Sequence, residues 1–115
     1  MYKISFYKNS NGKEPVYDYL VELSLKTGKS DRSLFKSITA YIDSLSDFGL
    51  GLGMPRIRRI DKELWELRPK RYRIFFFQMS ENEFVLLHYY FKKSRKTPES
   101  EIRKAHKEIE EVLGR

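Results

Sequence analysis

The residues with the greatest chemical potential are crowded into the middle of the chain. Residues 56–96 carry 12 basic and 5 acidic side chains, and residues 1–55 and 97–115 are close to neutral, so this segment accounts for the formal charge of +7. Arg68, Arg71, Arg73, Lys92, Lys93, Arg95 and Lys96 are its prominent cations, with His88 among them. A localised basic field suits a polyanion or an acidic protein partner, and equally a solvated, solubilising surface. Arginine offers a planar, permanently charged fork to phosphate oxygens. RNA brings its own nucleophile, the 2′-hydroxyl. Its cleavage therefore needs a proton acceptor, a donor to the leaving oxygen and cations for the charge of the transition state. A lysine serves as base only where neighbouring cations depress its pKa, and the run from Lys92 to Lys96 supplies such neighbours. Tyr72, Tyr89 and Tyr90 are candidates for stacking on unpaired bases.

Each candidate has a plainer role. His88 lies between Leu86-Leu87 and Tyr89-Tyr90, where a histidine is more often a hydrogen-bonded structural residue. His106, in a charged stretch, is expected to be solvated. Trp65 and Phe75–Phe77 read as core, and Glu66 as an ion-pair partner for a nearby arginine. The two histidines are far apart and the carboxylates scattered, so no metal-ligand spacing is present and neither metal nor cofactor is expected. The glycines from Gly49 to Gly53 lack the lysine and hydroxyl residue of a phosphate-cradling loop and read as a flexible turn.

These side chains need a scaffold. The chain of 115 residues is long enough for one core and is expected to form a single domain, residues 1–115. It has no cysteine, which excludes disulfides, thiolate metal sites and thiol nucleophiles and is compatible with a reducing cytosol. The N-terminal residues alternate polar and apolar, unlike a signal peptide, and no run approaches the length of a membrane span. Tyr2–Lys8 reads as a strand, followed by an Asn9–Gly12 turn. Pro15 opens a helix carrying Val16, Leu20 and Leu23, and Gly28 ends it. A second helix begins near Asp31 and shows Phe35, Ile38, Ile42 and Leu45 on one face. Glu63–Arg68, Arg71–Gln78 and Glu83–Phe91 read as an antiparallel meander. A last helix is expected from Thr97 as N-cap and Pro98 at its first position. The order β-α-α-β-β-β-α predicts an α+β domain. Strict alternation puts Leu64, Glu66 and Arg68 on one face of the first meander strand. It puts Arg71, Arg73, Phe75 and Phe77 on a face of the second, and Phe84, Leu86, His88, Tyr90 and Lys92 on a face of the third. Arg68, Arg71 or Arg73, His88 and Lys92 would then converge at one end of the sheet.

Four segments in order, Leu64-Trp65-Glu66-Leu67-Arg68, Tyr72-Arg73-Ile74-Phe75-Phe76, Leu87-His88-Tyr89-Tyr90-Phe91-Lys92-Lys93 and Lys96-Thr97-Pro98-Glu99 with Glu101-Ile102 and Ala105, resemble the phage-derived HigB-like toxins of the RelE/ParE superfamily. The resemblance covers roughly residues 60–110. It implies a RelE-like fold and a cytoplasmic endoribonuclease that cleaves messenger RNA without metal, often on the translating ribosome, leaving 2′,3′-cyclic phosphate and 5′-hydroxyl ends. It also implies a helix-turn-helix antitoxin as partner, similar to HigA, through which alone operator DNA would be reached, and no membrane. Carried over by position, Arg68 and Arg73 would hold the scissile phosphate, Lys92 and Lys93 would divide phosphate binding and proton transfer, and His88 is the alternative acid or base. Arg71, Tyr72, Tyr90, Arg95 and Lys96 would bind RNA. Where the family tends towards a small residue between His88 and Phe91, this chain has Tyr89-Tyr90, which leaves the register of His88 against Lys92 open. Three other readings stay open: a basic module that binds nucleic acid without chemistry, a gyrase-directed toxin of the same fold, and a degenerate toxin kept for operon repression.

Overall fold

The computed structural model describes residues 1–115. Strand β1 (Lys3–Phe6) leads to helix α1 (Pro15–Ser24), helix α2 (Lys29–Phe48) and a 3₁₀ turn (Gly49–Leu52). Strands β2 (Ile57–Arg59), β3 (Trp65–Leu67), β4 (Tyr72–Ser80) and β5 (Glu83–Phe91) follow, and helix α3 (Glu99–Leu113) closes the chain. The five strands form one sheet in the order β1-β5-β4-β3-β2. Only β1 runs parallel to its neighbour; two helices and three strands separate it from β5 along the chain, so no hairpin joins the pair. The α+β class and its antiparallel-rich sheet follow the sequence pattern.

Helices cover both faces. On one, α1 and α2 bury Val16, Leu23, Ile38 and Leu45 against Ile74, Phe76, Phe84 and Leu86. On the other, Ala105 and Ile109 of α3 pack on Leu64, Phe75, Phe77, Val85 and Leu87. The Phe75–Phe77 run therefore serves two cores in turn. All three rings are buried, each contributing about 2–3 kcal/mol by leaving water.

Three local details differ from the sequence pattern. Ile57–Arg59 is an additional strand, too short to show a period, which forms the sheet edge by pairing with β3. Helix α2 starts two residues before Asp31, after Gly28, and α3 starts after Pro98 rather than Thr97. The Gly49–Gly53 stretch contains an ordered turn: Gly49, at φ 58°, ends α2 in a conformation where a Cβ would lie 2.5 Å from the Tyr2 ring.

A fourth difference bears on the site. Ile74 pairs with Tyr89 but Phe76 pairs with Leu86, so β5 has one residue more than β4 between these pairs. Phe75 thus faces a β-bulge at Leu87-His88. Both bulge residues turn towards α3: Leu87 joins its core, and the His88 ring lies 5.1 Å from that of Phe75. The single face expected for Phe84, Leu86, His88 and Tyr90 is consequently split. Phe84 and Leu86 face α1 and α2, whereas His88 and Tyr90 face α3.

Candidate nucleic-acid interface

Above the bulge, the α3 face of the sheet changes from apolar to charged. Register places Arg58 opposite Glu66 and Arg73 opposite Tyr90, with Arg68 just beyond the end of β3. Glu66 is buried, and it accepts a hydrogen bond of 3.3 Å from the Tyr90 hydroxyl. Arg68 Nε lies 3.7 Å from Glu66 Oε1, close enough for charge attraction but too far for a hydrogen bond. That Nε is buried and has no hydrogen-bond partner at all. Arg73 is 6% exposed, and its Nη1 donates to the carbonyls of Lys70 (3.0 Å) and Tyr72 (2.7 Å). Lys70, at φ 51°, takes the left-handed turn between β3 and β4 from which its carbonyl meets Arg73.

The electrostatics follow from this geometry. Burial, and then the like charge of Arg68, hold the Arg73 guanidinium below its ordinary pKa, with Glu66 opposing. Burial pushes the Tyr90 hydroxyl up, Thr97 and Arg73 oppose the rise, and Glu66 adds to it. Two arginines thus share one buried carboxylate, and one has a donor to spare. A second anion close by would relieve their repulsion.

Between the end of β5 and the start of α3 lies a groove of about 360 Å³, lined by Tyr90, Phe91, Lys93, Lys96 and Glu101 among others. A second groove of about 190 Å³ shares Lys96 and adds Arg58, Arg95 and Thr97. Together they make a basic track beside the arginine pair, with aromatic rings in its wall.

The residues singled out in the sequence are divided by the fold. Arg68, Arg73 and Tyr90 stand together, Lys93 and Lys96 line the first groove, and Arg95 and Lys96 line the second. Lys92 is half-buried, and its backbone N–H donates to the Arg71 carbonyl (2.7 Å). Arg71 in turn donates to the Lys92 carbonyl and lies 5.3 Å over the Phe91 ring, which holds it at the strand end. Tyr72 is on the opposite face, where its hydroxyl accepts from Tyr19, and Tyr89 stacks on Tyr19 there. Burial pushes the Tyr19 and Tyr89 hydroxyls up.

His88 has no free nitrogen. Nδ1 lies 2.6 Å from Glu108 Oε1 and Nε2 lies 2.9 Å from Glu101 Oε1, with the ring buried. His106 is not merely solvated: its Nε2 lies 2.6 Å from Asp61, which ties α3 to the β2–β3 loop. Burial alone would raise the Asp61 carboxyl, but hydrogen bonds from His106 and from the Leu64 and Glu63 amides prevail and hold it below its usual value.

Arg58 and Glu108 had no place among the residues the sequence points to, and Glu101 stood there only as part of a motif, without a role. Glu101 and Glu108 are seven residues apart, two helical turns, which puts them on one face of α3; that spacing is the signal available for them. Arg58 offered none, because its strand is too short to recognise.

No helix is long and apolar enough to cross a membrane. Compared with curated proteins, the chain has no match. Residues 21–110 match the family described as phage derived protein Gp49-like (DUF891), a span that includes every residue of the arginine pair and both grooves. The chain therefore belongs to the phage-derived Gp49-like family, a toxin-like family related to the RelE and ParE toxins.

Proposed function

We propose that this protein is the toxin of a toxin–antitoxin pair, of the HigB kind, and that it cleaves messenger RNA by attack of the 2′-hydroxyl on the adjacent phosphate. The observation that carries the reading is the Arg68–Arg73 pair, with its unpartnered Arg68 Nε, joined through Tyr90 to a basic groove. A phosphate is the anion that such a pair accommodates best, because guanidinium forks match its oxygens and a second charged ligand relieves the repulsion. The charge developing on phosphorus would be met by these arginines, so the charge compensation is assigned to side chains rather than to a metal. Lys93 and Lys96 would follow the RNA backbone, and the Tyr90 ring would stack on an unpaired base. The neutralising partner is proposed to be a helix-turn-helix antitoxin, whose acidic segment covers this basic face and which alone carries the complex to operator DNA.

The test is to map RNA 5′ ends in cells after brief induction of the wild type and of Arg68→Gln. New ends inside coding sequences that fade in the variant support cleavage, and their positions show whether it follows the ribosome. Growth arrest without new ends would discard the ribonuclease reading in favour of passive binding or a gyrase-directed action.

A further inference from the structure

Glu101 joins the groove to the interior. It sits in the first turn of α3, where its backbone N–H donates to the Pro98 carbonyl, so the side chain projects from a fixed base. Oε1 is held 2.9 Å from His88 Nε2, while Oε2 makes no hydrogen bond within the protein and the residue lines the groove. Behind it, His88 is gripped from the other side by the buried Glu108. Both ring nitrogens of His88 are therefore engaged by carboxylate oxygens from α3. The result is a Glu101–His88–Glu108 line whose outer member keeps one carboxylate oxygen unbonded and lines the groove beside Lys93 and Lys96.

We propose that Glu101 is the proton acceptor for the RNA 2′-hydroxyl, and that His88 and Glu108 are positioning residues that hold it. The inference rests on the ribonuclease reading. In the step, Glu101 Oε2 takes the 2′-hydroxyl proton as the freed oxygen bonds to phosphorus. The bond from phosphorus to the 5′ oxygen breaks, and that oxygen takes a proton from the ammonium of Lys93 or Lys96. Solvent then returns the proton from Glu101 to the lysine, leaving 2′,3′-cyclic phosphate and 5′-hydroxyl ends. The lysine thereby acts as an ammonium donor and the carboxylate as the acceptor.

The test measures cleavage of messenger RNA, on ribosomes if free RNA is not cut, by the purified wild type and by Glu101→Gln, Glu101→Asp and His88→Gln, with thermal melting of each. Glu101→Gln keeps an acceptor for His88 but cannot take a proton, and is expected to lose roughly 10²–10⁴-fold in rate with RNA binding and melting unchanged. Glu101→Asp, a carboxylate that falls short of His88, is expected to cut faster than Glu101→Gln. His88→Gln is expected to lower kcat with KM held, and the double variant His88→Gln/Glu101→Gln to be no slower than Glu101→Gln alone, since a positioning residue acts through the base it positions. Independent, multiplying losses would make His88 a packing residue and overturn its part. If wild type cuts and Glu101→Gln cuts within threefold of it, or faster than Glu101→Asp, Glu101 is not the base, while the ribonuclease reading stands. If wild type itself leaves the RNA intact in both assays, the reading beneath has failed and this inference falls with it.

Discussion

The Tyr90 hydroxyl donates across 3.3 Å to the carboxylate of Glu66, joining β5 to β3 over the strand that lies between them. Glu66 is buried, so this bond and the nearby arginines are what compensate its charge. Tyr90→Phe should cost about 1–3 kcal/mol, the usual penalty for removing a partner from a buried acceptor. It should also loosen the arginine pair. Urea denaturation of the variant checks the first effect, and its cleavage rate the second.

Arg68 and Arg73 should separate in their effects. Arg73 bonds the carbonyls of Lys70, in the β3–β4 turn, and Tyr72, at the start of β4, so Arg73→Ala is expected to lower stability along with activity. Arg68 makes no such bond through its Nε, and its side chain is partly exposed beside Glu66. Arg68→Gln should reduce cleavage by roughly 10²–10³-fold, the range for loss of one donor to a developing anion. Arg68→Lys should fall between, keeping the charge beside Glu66 but not the planar fork. Circular-dichroism melts alongside the rates decide the assignment: a collapse in Arg68→Lys melting, rather than in rate, would make Arg68 structural.

Removing the His88 ring leaves Glu108 buried without its partner. His88→Leu is therefore expected to destabilise the fold by about 3–5 kcal/mol. Adding Glu108→Leu should restore much of that loss, because an apolar pair of similar volume replaces a charge that no longer has a counterpart. Equilibrium unfolding of the two single variants and the double variant closes the cycle; an undiminished loss in the double variant would refute it.

The Asp61–His106 contact should make stability fall in acid. The Asp61 carboxyl is held below its usual value, so its contribution is complete above the unfolded value near 4 and disappears as the pH falls through the folded one. In Asp61→Asn this part of the pH dependence should be missing. Urea midpoints of both proteins between pH 7 and pH 2.5 check it, and parallel curves would exclude Asp61 as a source.

Much of the fold was legible along the chain because its signals are local. The helical spacing of Val16, Leu20 and Leu23, the proline at the head of α1 and the apolar runs of β4 and β5 are set by neighbours within a few residues. Even the double use of Phe75, Phe76 and Phe77 is visible in outline, since an apolar run with no polar face belongs to a strand covered on both sides. The cationic content of the site was legible too, because charge sums along a sequence as it does in space. Arg58 escaped because three residues are too few to show a period, and His106 because its partner Asp61 is 45 positions away.

The arrangement of the site depended on the third dimension. A bulge arises where two strands disagree in length between shared pairs, and neither strand records the mismatch alone. It turned His88 towards α3, separated it from the face of Phe84 and Leu86, and gave both its nitrogens to Glu101 and Glu108. Tyr72 and Tyr90 have the same side chain and both lie in the meander, yet one packs on α1 and the other on Glu66. Composition and short-range periodicity settle which groups the chain can bring to an anion. Which of them meet is decided by strand register and by the helix that closes over the sheet, because those contacts join residues far apart in the chain.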